Sequence, residues 1–213
     1  DLPECDSEYH KSDEEIISRV RQGIRELNSR YGEHFCFFIR RRKFSLDRKK
    51  FFGWERKRGA LIDLCAFLES HKNEPFLEYS FPSEFKCRYL ITLDFDTVLT
   101  RGDARRMVLA MLHPENQPTV KNGVVVSGYG IMQPRVVLSP ESATATPFCL
   151  TLFGSGGSDN YRVPSFDFYQ SLFGKGLFCG KGIIDIEAFN RVAAPAFAED
   201  RILSHDILEG TYL

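Results

Sequence analysis

Apolar positions in this chain fall into short blocks divided by polar, glycine- and proline-bearing stretches, and the spacing within each block predicts its element. Ser12 can cap a helix whose first turn holds Asp13, Glu14 and Glu15, carboxylates favoured at the positive end of a helix dipole. Ile16, Val20, Ile24 and Leu27 follow at helical spacing, and Tyr31-Gly32 is a stop signal. Residues 35–39, Phe-Cys-Phe-Phe-Ile, are continuously apolar and predict a buried strand. Leu61, Leu64, Cys65 and Leu68 mark a second amphipathic helix, and residues 73–86, with two prolines, predict a loop.

The next apolar run, residues 89–94, is rich in β-branched positions and predicts a central strand that ends in Asp94. Thr100 and Asp103 have the spacing of a capping box for a helix through Met107, Val108, Met111 and Leu112, closed by His113-Pro114. Asn122-Gly123 signals a turn before the run 124–126, which can pair antiparallel with the run 131–138, Pro134 marking an edge or a bulge. Residues 142–153 predict a helix and residues 154–158 a flexible glycine-serine loop that lacks the Gly-Lys-Ser/Thr ending of a P-loop. Phe166, Tyr169, Leu172 and Phe173 mark a short helix, residues 177–184 a strand broken by glycines, and residues 185–192 another helix. Alternation of strands and helices makes the chain α/β. It contains no internal repeat.

Composition narrows the class. With 213 residues, 43% hydrophobic and 27% charged, the chain is long enough for one globular domain with a sizeable core. A net charge of −1 argues against a general nucleic-acid binder. Cations are nevertheless clustered at Arg40, Arg41, Arg42 and Lys43 and again at Arg48, Lys49, Lys50, Arg56, Lys57 and Arg58, and most of these are expected on solvated faces. No apolar run approaches the ~18 residues of a membrane helix, and no signal peptide is evident. The chain begins at Asp1 rather than Met, so a longer parent protein is expected. The six cysteines are scattered, without a Cys-x-x-Cys pair, and are expected to be reduced core thiols.

Three features carry candidate chemistry. Asp94-Phe95-Asp96 ends the central strand with two hard oxygen ligands, suited to Mg²⁺ or Mn²⁺ and so to a phosphate-bearing substrate. Arg56, Lys57 and Arg58 open a helix at its positive end, a conflict that a bound polyanion would resolve. Late in the chain His205, Asp206 and Glu209 sit together, with Asp206 and Glu209 on one face of a helix.

Five ordered segments give these features a family likeness: Gly-Trp-Glu-Arg-Lys-Arg-Gly-Ala-Leu at 53–61, Leu-Ile-Thr-Leu-Asp-Phe-Asp-Thr at 90–97, Gly-Tyr-Gly-Ile-Met-Gln-Pro-Arg at 128–135, Gly-Lys-Gly-Ile-Ile-Asp at 180–185 and Leu-Ser-His-Asp-Ile-Leu-Glu-Gly at 203–210. From about residue 35 onward the chain resembles the glycosyltransferase domain of cyclic β-1,2-glucan synthases, processive inverting enzymes of the GT-A type. The resemblance implies a Rossmann-like mixed sheet flanked by helices, one domain or a fragment of one over residues 1–213, and transfer of glucose from UDP-glucose to a growing β-1,2-glucan. It implies Asp94 and Asp96 as metal and nucleotide-sugar carboxylates, Asp96 the more direct metal ligand, and Lys57 and Arg58 beside the diphosphate. Gln133 and Arg135 would border the sugar, Gly180, Lys181 and Gly182 would line the acceptor side, and Asp206 would be the general base. Mg²⁺ or Mn²⁺ is the implied cofactor. The implied setting is the cytoplasmic face of the inner membrane, this segment itself soluble and tied to the membrane by flanking segments. An earlier nucleotide-binding strand and a later basic, Trp-containing segment are expected beyond the two ends.

The same residues admit two other functions. Asp94-Phe95-Asp96-Thr97-Val98 fits the Asp-x-Asp-x-Thr/Val signature of haloacid-dehalogenase-like phosphatases, with Asp94 the nucleophile, Asp96 the general acid and base, and Glu199-Asp200 the downstream acidic pair. A non-catalytic nucleotide-sugar binding module needs only the binding half of the site.

Overall fold

The computed structural model describes residues 1–82, 85–134, 136, 139–152, 172, 178–196 and 205–213. It separates into two compact units, the first built on Asp1–Arg88 and the second on Tyr89–Ala193 with the closing helix. It is a mixed α/β structure of helices and small sheets. Among the described residues, no helix is long and apolar enough to cross a membrane.

The first unit starts with helix α1 (Lys11–Tyr31). Its cap is His10 rather than Ser12: the His10 ring accepts from the Ser12 amide, and the Asp13 carboxylate accepts from the His10 amide at 2.7 Å. The buried face is Asp13 and Ile17, while Leu27 is exposed. Strand β1 (Phe37–Arg40) begins two residues later than the apolar run, leaving Phe35 exposed. β2 (Lys43–Ser45) and β3 (Lys50–Phe52) form a hairpin, and helix α2 (Arg56–Ser70) follows. Within the predicted loop at 73–86 lies strand β4 (Phe76–Ser80), paired antiparallel with β1. Its prolines, Pro75 and Pro82, flank the strand without interrupting its ladder, which is where proline is tolerated. Phe38 gathers an aromatic cluster, edge-on to Phe67 at 5.2 Å between centroids and stacked on Tyr79 at 5.9 Å.

Two arginines of the basic block are buried, contrary to the expectation of a solvated face. Arg42 makes a bidentate pair with Asp13 at 2.6 and 2.7 Å and donates to the carbonyls of Pro3 and Glu8. Arg40 donates to both carboxylate oxygens of Asp1, to Asp63 at 3.0 Å, and to the Trp54 and Arg56 carbonyls. A guanidinium's five fixed donors can be satisfied inside a protein only by such an acceptor cage.

The second unit is organised on β5 (Tyr89–Thr92), which pairs antiparallel with β9 (Gly182–Asp185), itself paired antiparallel with β8 (Ile131–Met132). Helix α3 (Asp103–Leu112) covers this sheet, and Met107, Met111 and Ile183 form the core with Tyr89, Ile91, Val108 and Met132 against them. The capping box does not form. Gly102, at φ 91°, occupies the cap position, and the Thr100 hydroxyl donates to the Asp103 carboxylate instead of accepting from a backbone amide. The run at 124–126 pairs backward: β7 (Val124–Ser127) meets β6 (Thr119–Lys121) across the Asn122-Gly123 turn, which takes two successive positive φ values. The predicted helix at 142–153 is two short ones, α4 (Pro140–Thr144) and α5 (Pro147–Leu152), because a proline disfavours helical geometry in the residue before it.

After β9 come α6 (Ile186–Ala188), capped by the Asp185 side chain, and a π-helical turn over Phe189–Ala193. The described chain closes with α7 (His205–Tyr212). Gly130 donates its amide to the Leu213 carbonyl at 2.6 Å, and a Cβ on Gly130 would press on the Leu213 side chain at 2.9 Å. Glycine leaves room there for the Leu213 and Ala188 side chains. The loop at 154–158 and the helix of Phe166, Tyr169 and Phe173 lie outside the described residues. Of the six cysteines only Cys65 is fully buried, and Cys36 is exposed, so the expectation of core thiols holds for one of them.

Two predictions follow the buried arginines. Asp63→Ala removes a carboxylate shared by Arg40 and the Trp54 indole N–H, and should lower the unfolding free energy by about 3–5 kcal/mol in urea titrations; a loss below about 1 kcal/mol would show the cage to be dispensable. The Arg42 guanidinium holds the Asp13 carboxyl below the usual carboxylate range. Its stabilisation is therefore complete above the unfolded pKa of about 4 and is lost as pH falls through the folded value. Below about pH 4 the melting temperature of the native chain should fall more steeply than that of Asp13→Asn, and parallel curves would contradict this.

Candidate functional site

The register of β5 on β9 builds the site. Thr92 lies opposite Gly182, so the chain leaving β5 faces the chain entering β9. This brings Asp94 to Lys181, with Oδ2 and Nζ 2.6 Å apart. The Asp94 carboxylate holds the Lys181 ammonium above its ordinary range, and the Asp96 charge acts in the same direction. Both side chains of the pair are partly shielded, 23% exposed for Lys181 and 34% for Asp94. Asp94 also starts a turn, its carbonyl accepting from the Thr97 amide. Asp96 is exposed, and Phe95 between the two carboxylates is wholly so.

Gly182 is the pivot. A side chain there would land on the Met132 carbonyl and on the Phe178 ring, so only glycine lets β8, β9 and the buried Phe178 close together. The glycine-broken strand is thus explained by backbone and ring packing within the protein. Next to it the Gln133 side-chain oxygen accepts the Cys179 amide at 2.7 Å, tying the segment before β9 to the end of β8.

Asp206 reaches the same neighbourhood. Burial pushes the Cys179 thiol up, and the charges of Asp206 and Asp94 push it the same way while Lys181 opposes them. Cys179 therefore lies within electrostatic range of the first carboxylate, the lysine and the late aspartate together. Asp206 sits in the first turn of α7, half-buried, and Glu209, one turn on, is buried. The sequence expectation of a core thiol at Cys179 meets a half-buried side chain.

Of the sequence-predicted site residues, the second unit brings together Asp94, Asp96, Gln133, Gly180, Lys181, Gly182 and Asp206. Lys57 and Arg58 belong to the first unit, at the start of α2, which lacks an acidic residue in its first turn. There Arg58 is buried and paired with Glu55, and Lys57 is half-buried. Gly59 packs under the Trp54 carbonyl and Arg40, so much of the segment 53–61 serves the arginine cage. Arg135 and the acidic pair Glu199-Asp200 lie outside the described residues.

The donor set suits a hard divalent ion. Among the described residues no group of three or more His, Cys, Asp or Glu side chains is placed to hold a metal. Asp94 and Asp96 offer two carboxylates, and Mg²⁺ is commonly bound by one or two carboxylates completed by water and substrate phosphates. Asp94 and Asp96 are therefore the residues that could hold such an ion.

This arrangement belongs to an α/β protein with a carboxylate-lysine site beside a small antiparallel sheet. No protein-family model matches the chain. It is 33% identical over 219 aligned positions to the cyclic beta-(1,2)-glucan synthase NdvB of Rhizobium meliloti (strain 1021). That match takes in all of this chain and 8% of the synthase, so the chain is related over its whole length to one small part of a much longer protein.

Proposed function

We propose that the chain carries out glycosyl transfer as one GT-A type domain or a fragment of one, moving glucose from UDP-glucose to a growing β-1,2-glucan with inversion. The observation that carries this reading is the Asp94–Lys181 ion pair where β5 meets β9, with Asp96 exposed beside it. Full-length relation to part of a glucan synthase supports the direction of the inference.

In this reading Asp96, the more exposed carboxylate, faces the donor diphosphate, with Asp94 beside it. A divalent ion, when bound, supplies positive charge against the departing diphosphate. Gln133 borders the sugar. Gln133 spends its carbonyl oxygen on the Cys179 amide, which leaves its amide N–H groups as the donors able to meet a sugar hydroxyl. Asp206 takes the proton from the acceptor hydroxyl as its oxygen bonds to the anomeric carbon, and the bond from that carbon to the diphosphate oxygen breaks on the opposite face. General-base assistance of this kind is worth about 10²–10⁴-fold. The parent protein would act at the cytoplasmic face of the inner membrane, anchored by segments outside this chain.

Two measurements test the proposal. UDP with Mn²⁺ at about 100 times its Kd should add ~2.7 kcal/mol of stability and raise the melting temperature by roughly 5–10 °C. Asp96→Ala should abolish that shift, and a shift that survives the substitution would remove Asp96 from the site. Asp206→Asn should leave the UDP and Mn²⁺ shift intact while reducing transfer in the full-length protein by about 10²-fold or more. Lost nucleotide binding in that variant would make Asp206 a structural residue instead.

A further inference from the structure

We propose that Lys181 competes with the divalent cation for Asp94, so that the cation binds weakly until a nucleotide diphosphate draws the ammonium away. The inference rests on the nucleotide-sugar reading above and moves Lys181 from the acceptor side to the donor carboxylates. Its basis is geometric. Lys181 Nζ lies 2.6 Å from Asp94 Oδ2, the distance of a charge-assisted hydrogen bond. The backbone that delivers it is held on both sides, by the Thr92–Gly182 register of the sheet and by the Gln133–Cys179 hydrogen bond. Gly182 itself packs closely against the Met132 carbonyl and the Phe178 ring. The ammonium is therefore presented to Asp94 by the fold, with less ordering entropy to lose than a surface lysine.

The electrostatics then force a competition. Asp96 also acts on the Lys181 charge, so the ammonium lies within range of both carboxylates that a divalent ion would share. An ion on Asp94 must displace a positive charge that the protein holds there. A diphosphate changes the balance, because its oxygens attract the ion and give the lysine another anionic partner. Lys181 would thus couple the two ligands: UDP strengthens cation binding and the cation strengthens UDP binding by the same factor. Lys181 is in this account a positioning residue, acting through Asp94.

The test is a Mn²⁺ titration of the full-length protein, reading free Mn²⁺ by electron paramagnetic resonance with and without UDP. Lys181→Met should bind Mn²⁺ about three- to tenfold more tightly than the native protein without UDP, and the enhancement by UDP should shrink by a similar factor. Lys181→Arg, which keeps the charge, should restore weak binding. Circular dichroism screens for folding, and Lys181→Gln replaces the Met variant if that one misfolds. Unchanged or weaker Mn²⁺ binding in the folded neutral variants would overturn the inference, since a purely structural lysine gives loss and never gain. Mn²⁺ binding that is present but indifferent to Asp96→Ala would instead fail the nucleotide-sugar reading itself. No Mn²⁺ binding in any protein would remove both.

Discussion

The antiparallel register of β5 on β9 is the constraint on which the candidate site depends. With Thr92 opposite Gly182, the residues that follow one strand must face those that precede the other. Strand pairing is specified by the apolar faces of both strands, and a one-residue slip would reverse every side chain. Every residue of β9 is buried, so that register has no freedom. Asp94 meets Lys181 because Ile91 and Ile183 pack where they do. The chemistry is a consequence of the hydrophobic core of Met107, Met111 and Ile183, two residues away.

Glycine does different work in the two units. Gly182 leaves room for the Met132 carbonyl and the Phe178 ring, and Gly130 for the Leu213 and Ala188 side chains. Gly53 and Gly59 admit Arg40 and its acceptors. The first pair shapes the candidate site; the second shapes a charged interior. A buried guanidinium is tolerable only when all of its donors are met, and replacing such an ion pair with apolar groups is often neutral or stabilising. The Arg40 and Arg42 cages are therefore better understood as fixing one arrangement of α1, β1 and α2 than as the source of the unit's stability.

Charge clusters were the least legible feature of the sequence. Arg40 and Arg42 belong to a run that composition assigns to solvent, yet alternation along the strand and its exit turns them inward onto Asp63 and Asp13, 23 and 29 residues away in sequence. Arg58, at the positive end of a helix, finds Glu55 rather than open solvent. Strand β4 was missed because its prolines read as loop signals, although they stand outside the ladder. The caps lie two residues from where sequence puts them, at His10 instead of Ser12 and, with no side-chain cap, at Gly102 instead of Thr100, because the exact end of a helix is set by where it docks.

The sequence by itself determined the helix and strand periodicities, the Asn122-Gly123 turn, the strand that leads to Asp94 and Asp96, and the late face shared by Asp206 and Glu209. These are legible because side-chain spacing and turn chemistry act over a few residues. Only the tertiary structure decided that Lys181 belongs with Asp94 and that Gln133 holds the segment before β9 through the Cys179 amide. Those partners, Asp94 and Lys181 about 87 residues apart and Gln133 and Cys179 46 apart, are brought together by strand pairing and core packing, and an ion pair or a shared hydrogen bond leaves no periodic trace in the chain that forms it.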